Sequence, residues 1–148
     1  LYNARGFRTL AEHHLKLAHR TRGLVIAVAD VRALDQLNAE FGRDAGDRAL
    51  VAASQVLRET FRASDVIARI GNDDFATLML DATDETTDVV APRLRQRLEH
   101  YRAAHRDSPW RLAMTVGLAR VAPGMHPGID EMLAEAGAAA LAEQVRVA

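Results

Sequence analysis

Cysteine is absent from this 148-residue chain, which excludes a disulfide framework and a cysteine-ligated zinc site. Lysine is almost absent: of 19 basic residues 18 are arginine, and Lys16 stands alone, so any chemistry that needs a lysine point charge elsewhere lacks its residue. Aromatic residues are only 5% of the chain, and no apolar run approaches the 18 or more residues of a membrane span. An excess of one charge is missing too. Nineteen basic side chains against 20 acidic ones leave a net charge of −1, and no basic stripe with interleaved aromatics occurs, so neither a nucleic-acid partner nor direct membrane contact is expected. Internal repeats and low-complexity linkers are also lacking. What is there, 49% hydrophobic and 26% charged residues, is the balance of one globular domain over residues 1–148 with a core of its own. The opening Leu1-Tyr2-Asn3-Ala4-Arg5 is neither an initiator Met nor a signal peptide, and the chain is expected to be excised from a longer multidomain protein.

Residues 5–21 carry Phe7, Leu10, Leu15 and Leu17 among polar partners, a pattern that predicts an amphipathic helix ended by Gly23. Leu24 to Ala29 is a continuous apolar run, as in a strand buried on both faces, and Asp30 follows at its carboxyl end. Helices are predicted over 33–40 and 45–61, parted by Gly42. Asp65–Ile70 and Phe75–Leu80 read as two strands joined by the turn Gly71-Asn72-Asp73-Asp74, hence a hairpin. A helix over 84–106, a strand over 110–121 and an Ala-rich helix over 129–144 complete the chain. This order predicts an α/β (α+β) fold: a central mixed sheet with an antiparallel hairpin and helices packed on its faces.

Two constellations carry chemistry. Asp30 with Asp73 and Asp74 offers hard oxygen ligands of the kind that suit Mg²⁺ beside substrate phosphates, although Asn-Asp-Asp is equally good turn chemistry. Arg62-x-x-Asp65, with Arg69 on the following strand, offers an arginine fork and a carboxylate, the complement of guanine's edges, although an exposed salt bridge would look the same. Among the histidines, His13, His14 and His19 share one predicted helix without the i, i+4 spacing of a zinc site, and His100, His105 and His126 are scattered. No Gly-Lys-Ser/Thr phosphate loop and no Gly-x-Ser-x-Gly elbow is present.

Taken in order, these residues resemble a GGDEF domain, the diguanylate cyclase family that condenses two GTP molecules into cyclic di-GMP. Leu1 to Phe7 is similar to the family's Leu-x-Asn-Arg-Arg-x-Phe, and Asp30 through Asn38 to Asp-Ile-Asp-x-Phe-Lys-x-x-Asn. Gly42-Arg43-Asp44-Ala45-Gly46-Asp47 is similar to Gly-His-x-x-Gly-Asp, and Gly71-Asn72-Asp73-Asp74-Phe75 occupies the signature hairpin. Thr115-Val116-Gly117 and the Ala136–Gln144 segment fall where the family has Thr-x-Ser and its last conserved helix.

The resemblance implies that Asp30, the Val31 carbonyl and Asp73 hold Mg²⁺, that Asn38 and Asp47 read guanine, and that Gly71 and Asn72 lie against the nucleotide. It also implies departures. Asn72 replaces the second signature glycine, a position where Asn tolerates positive φ; Asp74 shortens the usual Glu, leaving Asp73 and Asp74 as vestiges of the catalytic pair; Gly117 replaces a Ser. Asp35 stands where the family has Lys, turning attraction into repulsion beside a triphosphate, and Gln144 stands at a later Lys. Arg62 and Asp65 precede Gly71 by nine and six residues, the spacing of the family's inhibitory cyclic di-GMP site, which Arg69 and Arg93 would complete. The expected function is therefore a degenerate, weak or inactive cyclase acting as a cyclic di-GMP receptor or regulatory module for attached sensory or effector domains. The alternatives are a low-activity cyclase, working as a homodimer, or a GTP-binding or dimerisation scaffold without turnover. The nucleotide ligands imply a cytoplasmic location, with any membrane anchor elsewhere in the parent protein.

Overall fold

The computed structural model describes residues 1–17, 23–121, 125 and 127–147. Ten elements follow one another: α1 (Ala4–Lys16), β1 (Val25–Val31), α2 (Leu34–Phe41), α3 (Arg43–Thr60), β2 (Val66–Arg69), β3 (Asp74–Met79), α4 (Asp84–Asp88), α5 (Val90–Ala104), β4 (Met114–Arg120) and α6 (Ile129–Val147). The strands form one sheet in the order β2-β3-β1-β4.

β1 lies inside the sheet and pairs antiparallel with both β3 and β4. Its alternation splits the core in two. Val25, Ala27, Ala29 and Val31 face one way, into a cluster with residues of α2, α3 and α5. Ile26 and Val28, with Leu24 just before the strand, face the other way, onto Phe7, Ala11 and Leu15 of α1 and Met132 and Ala136 of α6. Burial on both faces is why this strand reads as an unbroken apolar run.

The expected mixed sheet is corrected by the topology. Among the described residues every ladder is antiparallel, and the one parallel pairing is an isolated bridge between Tyr2 and Ala68. β1 and β2 run the same way, but the hairpin returns β3 into the gap between them, so the crossover through α2 and α3 never becomes a parallel ladder. The expected single helix over 84–106 is also corrected, since it breaks at Val89 into α4 and α5. Pro92 has no N–H to offer the carbonyl of Asp88, so the helix restarts with proline in its first turn. The strand expected from residue 110 begins at Met114, because its partner β1 ends at Val31.

Glycine is required at two crossings. Gly42, at φ 93°, joins α2 to α3 in a conformation that L side chains rarely adopt. At Gly117 a Cβ would overlap the backbone of Ala136 and Ala140, so α6 lies directly on the surface of β4. No helix among the described residues is long and apolar enough to cross a membrane.

Candidate functional site

The end of β1 and the start of β3 bring the acidic residues together. The ladder sets Asp30 opposite Asp74, and the Val31 N–H donates to the Asp73 carbonyl at 2.8 Å, tying the hairpin tip to the last residue of β1. Carboxylate oxygens of Asp30, Asp73 and Asp74 all lie within 4.8 Å of one another. Burial raises the pKa of Asp30 to about 6, with the charges of Asp74 and Asp73 adding to the effect. Asp74 is raised as well, by burial and then by Asp73, while a backbone hydrogen bond and Arg69 pull it back. The protein spends folding energy to gather charge of one sign, which a divalent cation would relieve. Around octahedral Mg²⁺ neighbouring oxygens are about 3 Å apart and only opposite ones about 4.2 Å, so the three carboxylates are the right donors for that ion and would draw together to hold it.

The hairpin is held by Arg69, whose guanidinium donates to the carbonyls of Gly71 at 2.9 Å and Asn72 at 2.8 Å. Arg69 therefore braces the acidic turn from one end of β2, whereas Arg62 and Asp65 sit before its other end. No hydrogen bond joins it to that pair among the described residues. Asn72 does not use its tolerance of positive φ either: among described residues only Ala33, Asp81, Gly23 and Gly42 have φ above zero. Glycine at 71 has a different reason, since a Cβ there would overlap the Asp74 carboxylate.

Asn38 on α2 and Asp47 on α3 lie beside the Gly42 corner. A Cβ on Gly46 would overlap the Asn38 side chain, so α3 crosses closely over it. The Asn38 Oδ1 is buried with no hydrogen-bond partner among the described residues, an acceptor awaiting a donor. Asp47 is exposed. Asp35 is exposed in the first turn of α2, where its charge suits the helix N-terminus while opposing a phosphate. Ala33, just before α2, is held at φ 57°, a strained conformation for alanine at the loop that follows Asp30 and Val31. The side chain of Gln144 lies outside the described residues, as do His19 and His126. His13 and His14 pack edge to face at 5.5 Å, and His100 is exposed.

The second constellation is a closed pair. Arg62 donates from Nη2 to Asp65 Oδ1 at 2.9 Å and from Nε at 3.2 Å, its backbone N–H donates to Asp65 Oδ2 at 2.8 Å, and Nη2 also reaches the Leu80 carbonyl at 2.9 Å. The Asp65 side chain is 1% exposed and that of Arg62 34%, so this is a partly buried, multiply bonded pair rather than a loose surface bridge. Arg93 on α5 donates to the Thr60 carbonyl at 3.3 Å, two residues from Arg62. A cleft of about 460 Å³ opens beside the pair, lined also by Tyr2 and Arg58. The sequence reading missed both. Tyr2 is fixed there by its N–H bond to the Ile67 carbonyl, and Arg58 lies four residues before Arg62, a periodicity that marks it on the last turn of α3.

Comparison with known proteins now bears on this geometry. A family profile described as diguanylate cyclase, GGDEF domain, matches residues 1–145. The chain belongs to the GGDEF domain family. DgcC of Escherichia coli K12, a probable diguanylate cyclase, is 30% identical over 126 residues, 84% of this chain and 34% of that protein. The chain thus spans a third or less of the length of the curated relatives it matches, from 34% down to 13%. An active GGEEF domain of a diguanylate cyclase from Vibrio cholerae superposes with a TM-score of 0.85 at 20% identity, covering 99% of this chain and 92% of that one. A microbial GGDEF domain solved for its interaction with cyclic di-GMP superposes at 0.72 with 27% identity, covering 97% and 88%. In this GGDEF domain the hairpin turn Gly71-Asn72-Asp73-Asp74 supplies two of the three clustered carboxylates, and β1 supplies the third.

Proposed function

We propose that this GGDEF domain is degenerate as a cyclase and serves as a cyclic di-GMP receptor within a longer signalling protein. The observation that carries the reading is the Arg62–Asp65 pair at the mouth of an open cleft, with Tyr2 and Arg58 beside it and Arg93 within reach of Thr60. The ligand's guanine presents acceptors to the arginine fork and donors to the carboxylate, and its phosphates meet Arg58 and Arg93. Because the pair is closed, guanine binds by exchanging Arg62–Asp65 contacts for its own, and the new hydrogen bonds must outweigh those that open. Attached domains read the occupied state, and a cytoplasmic location accords with such a ligand.

The GTP side is weaker by the same physics. Asp30, the Val31 carbonyl and Asp73 would hold Mg²⁺, which when bound stabilises charge growing on a phosphate. Asn38 and Asp47 are positioned for a base, Oδ1 of Asn38 accepting from a guanine N–H. Gly71 and Asn72 line the phosphate side, where Asp35 brings a negative charge and the chain has no lysine but Lys16. The retained cluster and the orphaned Asn38 oxygen favour a second reading, a low-activity cyclase that works as a homodimer.

Calorimetric titration with cyclic di-GMP, run beside GTP with Mg²⁺, separates the two. Cyclic di-GMP is expected to bind at micromolar or tighter affinity. Arg62→Ala would strand the buried Asp65, so Arg62→Lys is the informative variant: it keeps the charge, loses the fork and should weaken binding by about tenfold or more. Silence with cyclic di-GMP, or cyclic product formed from GTP and Mg²⁺ at ordinary rates, overturns the receptor reading.

A further inference from the structure

The chain's single tryptophan and one of its two tyrosines converge on a surface that the nucleotide sites do not use. Trp110, in the loop between α5 and β4, and Tyr101, near the end of α5, are both partly buried against the core. The His105 ring stacks on Tyr101 with centroids 4.1 Å apart and planes 20° apart, so the ring pair presents a flat apolar wall. Phe7, Phe61 and Phe75 are fully taken up by the core, whereas Tyr101 and Trp110 pack against it with part of each ring left at the surface.

Two hollows meet at this wall and share Tyr101, His105 and Trp110. The first, about 560 Å³, runs across to α3, where Arg48 and Val51 close it; Val51 is 59% exposed, a large apolar side chain left in water at the rim. Its charged lining, Arg48 and Asp107, is balanced. The second, about 330 Å³, is lined by Arg102, Arg106 and Arg111 with no carboxylate. Arg102 donates to the Leu112 carbonyl at 2.8 Å, and Arg106 and Arg111 have no ion-pair partner among the described residues. Polar tips are also unused: neither the Tyr101 hydroxyl nor the Trp110 indole N–H has a hydrogen-bond partner among the described residues. Burial raises the Tyr101 pKa, opposed in part by Arg48, so the hydroxyl keeps its proton at neutral pH and can donate.

We infer that this pair of hollows is a docking site for an extended, proline-bearing segment of a partner protein that carries an acidic residue beside its prolines. A polyproline II segment turns every three residues and leaves all its carbonyls unpaired, so it supplies apolar ridges for an aromatic-walled hollow and acceptors for indole N–H and phenol O–H. Its low conformational freedom suits a shallow surface that offers little buried area. The first hollow, neutral and apolar, takes the proline. The second, where Arg106 and Arg111 have no ion-pair partner among the described residues and Glu99 lies near Arg102 alone, takes the carboxylate. The charge asymmetry between the hollows sets the direction of the segment and rejects a basic one.

Trp110, as the sole tryptophan, reports its own site. The 148-residue chain is titrated with three blocked peptides, Glu-Pro-Pro-Leu-Pro-Glu, the same peptide with lysine in place of glutamate, and an all-alanine version that keeps the glutamates. The acidic proline peptide is expected to shift the indole emission to the blue and to saturate, with at least a tenfold weaker response from the other two. Arg106→Glu with Arg111→Glu should weaken binding of the acidic peptide about tenfold while leaving cyclic di-GMP binding intact, which separates failure here from failure of the receptor reading. Tyr101→Phe, which keeps the ring and loses the hydroxyl, should weaken it several-fold without moving the melting temperature. Equal responses to all three peptides, no saturable response, or the same emission change with inorganic pyrophosphate or GMP each overturn the inference; the last would make the cleft an anion or base site.

Discussion

At Asp30 a half-buried carboxylate faces two others, and its pKa rises to about 6 from burial first and from Asp74 and Asp73 next. A raised acid favours the folded state while protonated. The stability it contributes is fully present below pH 4 and is lost as the pH climbs through about 6. Asp30→Asn should therefore leave stability near pH 4 unchanged and raise it at pH 7.5, by about 1–2 kcal/mol once partial exposure is allowed for. Thermal melts of both forms across pH 4–7.5 check this. Excess Mg²⁺ should raise the wild-type melting temperature at pH 7.5 and move the variant much less, since the ion and the proton compete for the same oxygens. A wild-type curve parallel to that of the variant at every pH would show that Asp30 ionises freely.

Individual residues were unevenly legible from sequence. Asp30, Asp73 and Asp74 were found because the end of a buried strand and a tight turn both announce themselves locally. Arg62 and Asp65 were found by spacing, and the guess of a bare surface bridge failed only because the burial of Asp65 is a property of the packed chain. Arg69 is engaged at the hairpin instead. Closeness in sequence suggested one site, but a four-residue strand of about 13 Å separates the hairpin it braces from Arg62. Tyr101 and Trp110 carried no shared signal, since a loop folding back brings them together.

Among the elements, α6 against β4 shows how a substitution can mean packing rather than chemistry. Gly117 stands where the family resemblance has Ser, and sequence alone makes it a departure near the nucleotide. In the fold a Cβ there would run into the backbone of Ala136 and Ala140, atoms that cannot rotate aside. Gly117→Ser should destabilise the domain by about 2–3 kcal/mol, seen as a lower urea midpoint with an unchanged m-value. Unaltered stability would mean that α6 sits less closely on the strand. Element types and order were readable because apolar periodicity is local, and the break at Val89 was missed because the effect of Pro92 falls four residues upstream. The mixed sheet was wrongly expected because strand neighbours are a matter of topology, which no local pattern encodes.

For the whole molecule, β1 is the hub: it pairs with β3, 44–54 residues downstream, and with β4, 83–95 downstream, and its two faces found two separate cores. The cleft beside Arg62 lies against β2 and the end of α3, whereas the acidic cluster lies where β1 meets the hairpin tip. Ligands at the two places are thus expected to be independent to first order. Cyclic di-GMP affinity measured with and without Mg²⁺ should differ by less than about twofold, and a larger difference would reveal a coupling free energy between them.

The same topology has a consequence for how the chain acquires its shape. The β2–β3 hairpin closes over a four-residue turn and needs no distant partner, but Asp30 meets Asp74 only when that hairpin docks onto β1. Three carboxylates are forced together at that step, so like-charge repulsion opposes the long-range event that already limits the rate. A cation that screens them should act on the barrier as well as on the final state. In stopped-flow refolding at pH 7.5, millimolar Mg²⁺ should speed the wild type several-fold and leave Asp30→Asn, which refolds fast without it, nearly unchanged. Where like charges must meet late, the rate of folding as well as its endpoint becomes sensitive to divalent cations.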